Sequence, residues 1–153
     1  MRTPVACSVL PKENTAKLRK VHQFNTFSIA HPLQHAIAAY LAERPDCGRE
    51  LAGFFQAKRD RLRAALASSG FQLPAAQGTY FQLLDYGAIC DLGDLDFAER
   101  LLTEAGVATI PLSPFYQQPQ RLTLVRLCIA KRDGTLDEGA ARLNSFAARL
   151  RGG

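Results

Sequence analysis

The amino-acid sequence predicts an α+β fold: a small sheet of short strands backed by helices, preceded by a long helical connection. Three observations predict it. Residues 12–68 read mainly as helix, broken near Pro45-Asp46-Cys47-Gly48. After Gly70, short extended stretches interleave with helical ones in the order β-β-α-β-β-α. The run Leu122–Ala130 is nearly all apolar, of strand length, and carries Arg126 at its middle.

Each element has its own signal. Lys12–Lys20 reads as a short basic helix, and the mixed pattern of Val21–His31 as an irregular connection. Pro32 suits a first helical turn, and Leu33, Ala36, Ile37, Tyr40 and Leu41 follow at helical spacing. The longest helix is expected over Arg49–Ser68. Its apolar stripe is Leu51, Phe55, Leu62 and Leu66, with Phe54 and Ala65 beside it and Gly70 at its end. Phe71-Gln72-Leu73 is short and extended, Pro74–Gly78 is a turn, and Thr79–Tyr86 is an aromatic strand.

Asp94 is expected to cap a helix reaching Ala105, with Phe97, Ala98, Leu101 and Leu102 inward and Gly106 closing it. Val107–Ile110 is a short strand, and Pro111–Gln120 is a loop containing Leu-Ser-Pro-Phe-Tyr. Arg121–Ala130 is the strand with Arg126. Thr135-Leu136-Asp137-Glu138 has the form of a capping box, opening a helix whose stripe is Leu136, Leu143, Phe146 and Leu150.

Composition bounds the function. With 153 residues, 47% hydrophobic and 22% charged, the chain is globular and long enough for a real core. No apolar run has membrane-spanning length, and the start lacks the long apolar stretch of a secretory signal. Cys7, Cys47, Cys90 and Cys128 are dispersed, without a Cys-x-x-Cys pair, which supports neither zinc nor redox chemistry and places the chain in the cytoplasm. The net charge of +5 raises nucleic acid as a partner. Against it, the basic residues are dispersed, and Lys58, Arg59, Arg61 and Arg63 share their helix with acidic neighbours. No recognition helix or aromatic platform accompanies them, so neither nucleic acid nor a membrane is the expected partner.

Few residues are arranged for chemistry. His31 and His35 have a metal-capable spacing but no convincing third ligand, so no metal is expected. Ser28 and Ser113 lie in no nucleophile elbow, and no glycine-rich phosphate loop occurs. Tyr80 and Phe81 follow a Gly-Thr turn, where aromatic residues either pack or line a pocket. Arg126 is the outstanding residue. A guanidinium among apolar neighbours needs an anion, and its run contains no acid to supply one. Either an internal Asp or Glu meets it, or it lies on a solvated edge, or it awaits a carboxylate or phosphate from outside, for which its planar fork is suited.

Four blocks in register resemble the fold-type I pyridoxal-phosphate aminotransferases, nearest to the methionine and kynurenine aminotransferase-like group. They are Leu18–Gln23 with Pro32–Ala36; Gly78-Thr79-Tyr80-Phe81; Gly106–Pro111 with Leu112-Ser113-Pro114-Phe115; and Val125–Lys131. The resemblance covers most of the chain. It implies that Arg126 grips the α-carboxylate of an amino acid or 2-oxo acid, and that Tyr80, Ser113 and Phe115 line the pocket. It also implies residues 1–47 as the end of a large domain and residues 48–153 as the small domain with its long interdomain helix.

In that family pyridoxal phosphate is held by a Schiff-base lysine that precedes all four blocks. Lys12, Lys17, Lys20, Lys58 and Lys131 match no such position, and Pro4 falls where a phosphate-binding residue belongs. The expectation is a carboxy-terminal piece of an aminotransferase that binds no cofactor and is inactive alone. The alternative is a non-catalytic module binding carboxylates or a protein, including a second copy, through apolar surface near Phe24, Phe27 and Ile29.

Overall fold

A computed structural model describes residues 10–26, 28–118 and 120–152. The chain divides into two compact units, residues 1–48 and 49–153. In the first lie α1 (Lys12–Asn25) and α2 (His31–Glu43). No glycine or proline interrupts residues 12–26, and α1 runs five residues beyond the expected Lys20, turning Val21–Asn25 helical. Pro32 does occupy the first turn of α2. Neither helix buries a residue, and Phe24 is 87% exposed. Phe27 and Cys7 lie outside the described residues.

Helix α3 (Cys47–Ala65) starts two residues earlier than expected and stops three short of Ser68. Only Leu62 of its stripe is buried within the helix, with Leu66 just beyond it; Leu51 and Phe54 are exposed. The second unit then holds β1 (Phe81–Asp85), α4 (Asp94–Arg100), β2 (Ile110–Pro111), β3 (Leu124–Cys128) and α5 (Asp133–Gly152).

The sheet is antiparallel in the order β1-β3-β2, with β3 central. Buried and half-buried residues alternate along β1 and β3, as a sheet with one covered face requires. Leu84, Val125, Leu127 and Ile129 pack against Leu62, Phe97, Leu143 and Phe146 of the helices. Tyr86 stacks on Phe97 with ring centroids 3.6 Å apart. Its hydroxyl donates to the Leu92 carbonyl at 3.0 Å, and burial pushes its pKa above the ordinary range.

Several elements depart from expectation. Phe71–Leu73 contributes a single bridge, Gln72 to Asp85, because Pro74 lacks the donor to continue a ladder. The strand expected over Val107–Ile110 is paired only at Ile110 and Pro111. Three paired strands therefore replace the four expected. Helix α4 ends at Arg100 and continues as a π turn over Leu101–Ala105, which leaves Leu102 exposed. Gly106 closes that turn at φ +65°, a left-handed conformation suited to glycine. Helix α5 begins at Asp133 rather than Thr135. The Arg132 carbonyl accepts from Thr135 and Leu136, so Thr135 lies inside the first turn and the expected capping box is not the helix start.

The basic run on α3 is used internally. Lys58 reaches Asp133 at 2.8 Å, and Arg61 meets both oxygens of Asp137 at 2.7 Å. Arg59 and Arg63 donate to the Ala76 and Leu73 carbonyls. Among the described residues no helix is long and apolar enough to cross a membrane.

Candidate functional site

Arg126 sits at the centre of the central strand, opposite Leu83 on β1 and Ile110 on β2. Val125 and Leu127 point to the core, so the two-residue period places Arg126 on the other, half-buried face. Phe81 is its diagonal neighbour on β1, and the guanidinium carbon lies 4.0 Å from that ring centroid. Phe115, in the one-turn 3-10 helix Ser113–Phe115, approaches from the β2 side at 5.6 Å.

Among the described residues the fork has no internal anion. Arg126 Nε is buried, and no protein acceptor reaches it. Asp85 shares this face of the sheet, but its Oδ1 accepts from the Gly87 amide and the Thr123 hydroxyl, each at 2.9 Å. Glu138 lines the same cleft as Arg126 and is paired with Arg142. Among the described residues no carboxylate forms an ion pair with Arg126.

That cleft, of about 430 Å³, follows from the shortness of β2. Residues 107–109 are unpaired, so the sheet edge opens between them and the end of β3. Leu62, Leu136 and Leu143 contribute apolar lining, and the buried Thr109 hydroxyl has no partner.

Of the residues expected at a pocket, Phe115 has its ring 5.6 Å from the Arg126 guanidinium carbon and is 67% exposed. Ser113 opens the same turn. Tyr80 packs instead on Phe81 and Phe55, at 4.4 and 6.0 Å. The ring under the guanidinium belongs to Phe81, one residue further on. Just before it, Thr79 adopts φ +67°, an uncommon conformation for a β-branched residue, which marks a strained turn into β1.

Asp94 is the residue that sequence reasoning undervalued. It is the first residue of α4, not its cap; Gly93 holds that place. The residue is 3% exposed, and one carboxylate oxygen accepts from the amides of Leu112 at 2.7 Å and Ser113 at 2.6 Å. Burial pushes its pKa up, but the hydrogen bonds from Ser113 and Leu112 outweigh that and hold it below the ordinary carboxylate value. His31 and His35 meet edge to face in the other unit, with Nε2 atoms 3.3 Å apart. Among the described residues no three His, Cys, Asp or Glu side chains cluster as metal ligands.

The family model for aminotransferase class I and II matches residues 5–143. The chain belongs to this family. Methionine aminotransferase of Escherichia coli is 43% identical to it over 142 residues, covering 93% of this chain and 37% of that protein. A probable N-succinyldiaminopimelate aminotransferase of Mycobacterium tuberculosis is 34% identical, covering 91% and 37%. The solved structures of a methionine aminotransferase from Escherichia coli and an N-succinyldiaminopimelate aminotransferase from Mycobacterium tuberculosis superpose with TM-scores of 0.81 and 0.79. Each match covers 88% of this chain and 35% of the other. The chain thus spans little more than a third of the length of these relatives.

The family depends on pyridoxal phosphate, which needs an amine for its carbonyl and a cage of donors for its phosphate. The described residues do not fit it. Lys58 is tied to Asp133 and the Lys131 carbonyl, Lys131 is exposed, and Lys12, Lys17 and Lys20 lie on α1. Lys131 lines the cleft together with Arg126, but from an exposed position beyond the end of β3.

Proposed function

We propose that this chain is the substrate-carboxylate-binding carboxy-terminal portion of an aminotransferase that moves an amino group from an amino acid to a 2-oxo acid. The observation that carries the reading is the guanidinium of Arg126, with a buried Nε that no protein acceptor reaches and no acidic partner among the described residues. A substrate carboxylate would take two parallel hydrogen bonds from its fork. The rings of Phe81 and Phe115, 4.0 and 5.6 Å from the guanidinium carbon, flank the fork. Tyr80 and Ser113 stand at the edges of this arrangement. Chemistry at the substrate α-carbon belongs to the part of the family fold that holds pyridoxal phosphate. These 153 residues, taken alone, orient a substrate and do not transaminate it.

Equilibrium dialysis of the chain with radiolabelled L-methionine tests the first clause. Saturable binding that Arg126→Leu abolishes and Arg126→Lys weakens is the expected result; equal retention by wild type and Arg126→Leu contradicts it. The second clause is tested by adding pyridoxal phosphate, L-methionine and a 2-oxo acid to the chain alone. Formation of the new amino acid refutes it.

A further inference from the structure

We propose that Asp94 is a positioning residue for the Arg126 site: its carboxylate fixes the segment that carries Phe115 to the guanidinium. The proposal rests on the reading of Arg126 as a carboxylate clamp and adds a residue that has no contact with the ligand.

The geometry is local and complete. Between Pro111 and Pro114 only Leu112 and Ser113 possess backbone N–H groups, since proline has none. Both of those amides point to the same Asp94 oxygen, at 2.7 and 2.6 Å. The next turn is then determined. Phe115 and Tyr116 donate to the Leu112 and Ser113 carbonyls at 3.0 and 3.1 Å, which closes the 3-10 helix and brings the Phe115 ring to Arg126. On the other side of the pinned pair, Ile110 lies opposite Arg126 in the sheet. The segment thus touches the arginine at both ends and is held to the helix layer at its middle.

Asp94 is suited to this task. It is the first residue of a helix whose Phe97 is wholly buried, so the carboxylate stands on a rigid part of the core. No cation pairs with it among the described residues; the backbone amides of Leu112 and Ser113 are its partners. Charge-assisted hydrogen bonds of this kind are strong, and removing the acceptor leaves two amides of the segment unmet.

The test compares Asp94→Ala, Asp94→Asn and Phe115→Leu in the full chain by NMR, reading the Arg126 Nε–H resonance with and without L-methionine. That resonance senses the neighbouring ring currents, so it reports the placement of Phe115 before any ligand is added. Asp94→Ala is expected to move it toward its position in Phe115→Leu and to weaken L-methionine binding about tenfold. Asp94→Asn, which keeps one acceptor oxygen, is expected to fall between wild type and Asp94→Ala in both readouts. A resonance that stays at the wild-type position in Asp94→Ala overturns the proposal. If Asp94→Ala fails to fold, Asp94→Asn decides: an unmoved resonance overturns it, and a shift toward the Phe115→Leu position supports it. If wild type does not bind L-methionine yet Asp94→Ala still moves the resonance, the clamp reading fails and the positioning role stands.

Discussion

The guanidinium of Arg126 lies 4.0 Å from the centre of the Phe81 ring, on the face of the sheet turned away from the core. That contact sets an aromatic ring against a charged fork without neutralising it. A carboxylate partner from the protein would have neutralised it, but Asp85 on the same sheet face and Glu138 in the same cleft are engaged elsewhere.

Replacing Phe81 tests this contact. Phe81→Leu keeps an apolar residue but removes the π face. Unfolding in urea is expected to show a loss of about 1 kcal/mol, with the sheet retained. A variant as stable as wild type, with an unchanged Arg126 Nε–H resonance, contradicts the assigned contact.

Acid should loosen the loop that Asp94 holds. The folded-state pKa of Asp94 lies below its ordinary value of 3.8. Its contribution is therefore fully present above the unfolded value, and is lost as pH falls below it through the folded value. Wild-type stability is expected to drop more steeply below about pH 4 than that of Asp94→Asn, which has no proton to take up there. Parallel urea midpoints from pH 6 down to the acid limit check this; superposable curves refute it.

Gly106 offers a backbone test. It has φ +65°, and a Cβ placed there would come within 2.7 Å of Arg142 Nη1. Gly106→Ala is expected to cost about 1–2 kcal/mol in thermal or urea unfolding, the backbone term dominating because the arginine end can move aside. No measurable loss would contradict the left-handed turn.

Phe97 ties the helices to the sheet. It stacks on Tyr86 and meets Phe71 and Phe146 edge-on at 6.4 and 5.9 Å. Phe97→Ala is expected to cost about 3–5 kcal/mol, measured by urea unfolding, since it opens a cavity among rings that cannot collapse together.

The sequence made some of this legible because the signals were local. The α5 stripe of Leu136, Leu143 and Phe146 follows helical period and is buried as expected. The nearly all-apolar run of strand length around Arg126 marked it as a strand residue with an anomalous charge, and the structure places it on β3. What was not legible depended on partners distant in sequence. Whether Tyr80 or Phe81 faces Arg126 is set by the pairing of Leu83 with Arg126, which neither strand reveals by itself. Asp94 read as a helix cap because its partners, Leu112 and Ser113, are 18 and 19 residues away. Thr135 matched a capping pattern, yet the helix starts earlier, where Asp133 meets Lys58. The family resemblance pointed to Arg126 with Tyr80, Ser113 and Phe115, and gave no role to the Phe81 ring or the Asp94 carboxylate.

The most direct measurement is an NMR titration of the chain with L-methionine, following the Arg126 Nε–H resonance. A saturable shift, absent on addition of the carboxyl-free analogue of that amino acid, is the result expected of a fork reserved for an incoming carboxylate. A resonance that neither ligand displaces at any concentration contradicts the assignment of Arg126 as the substrate clamp.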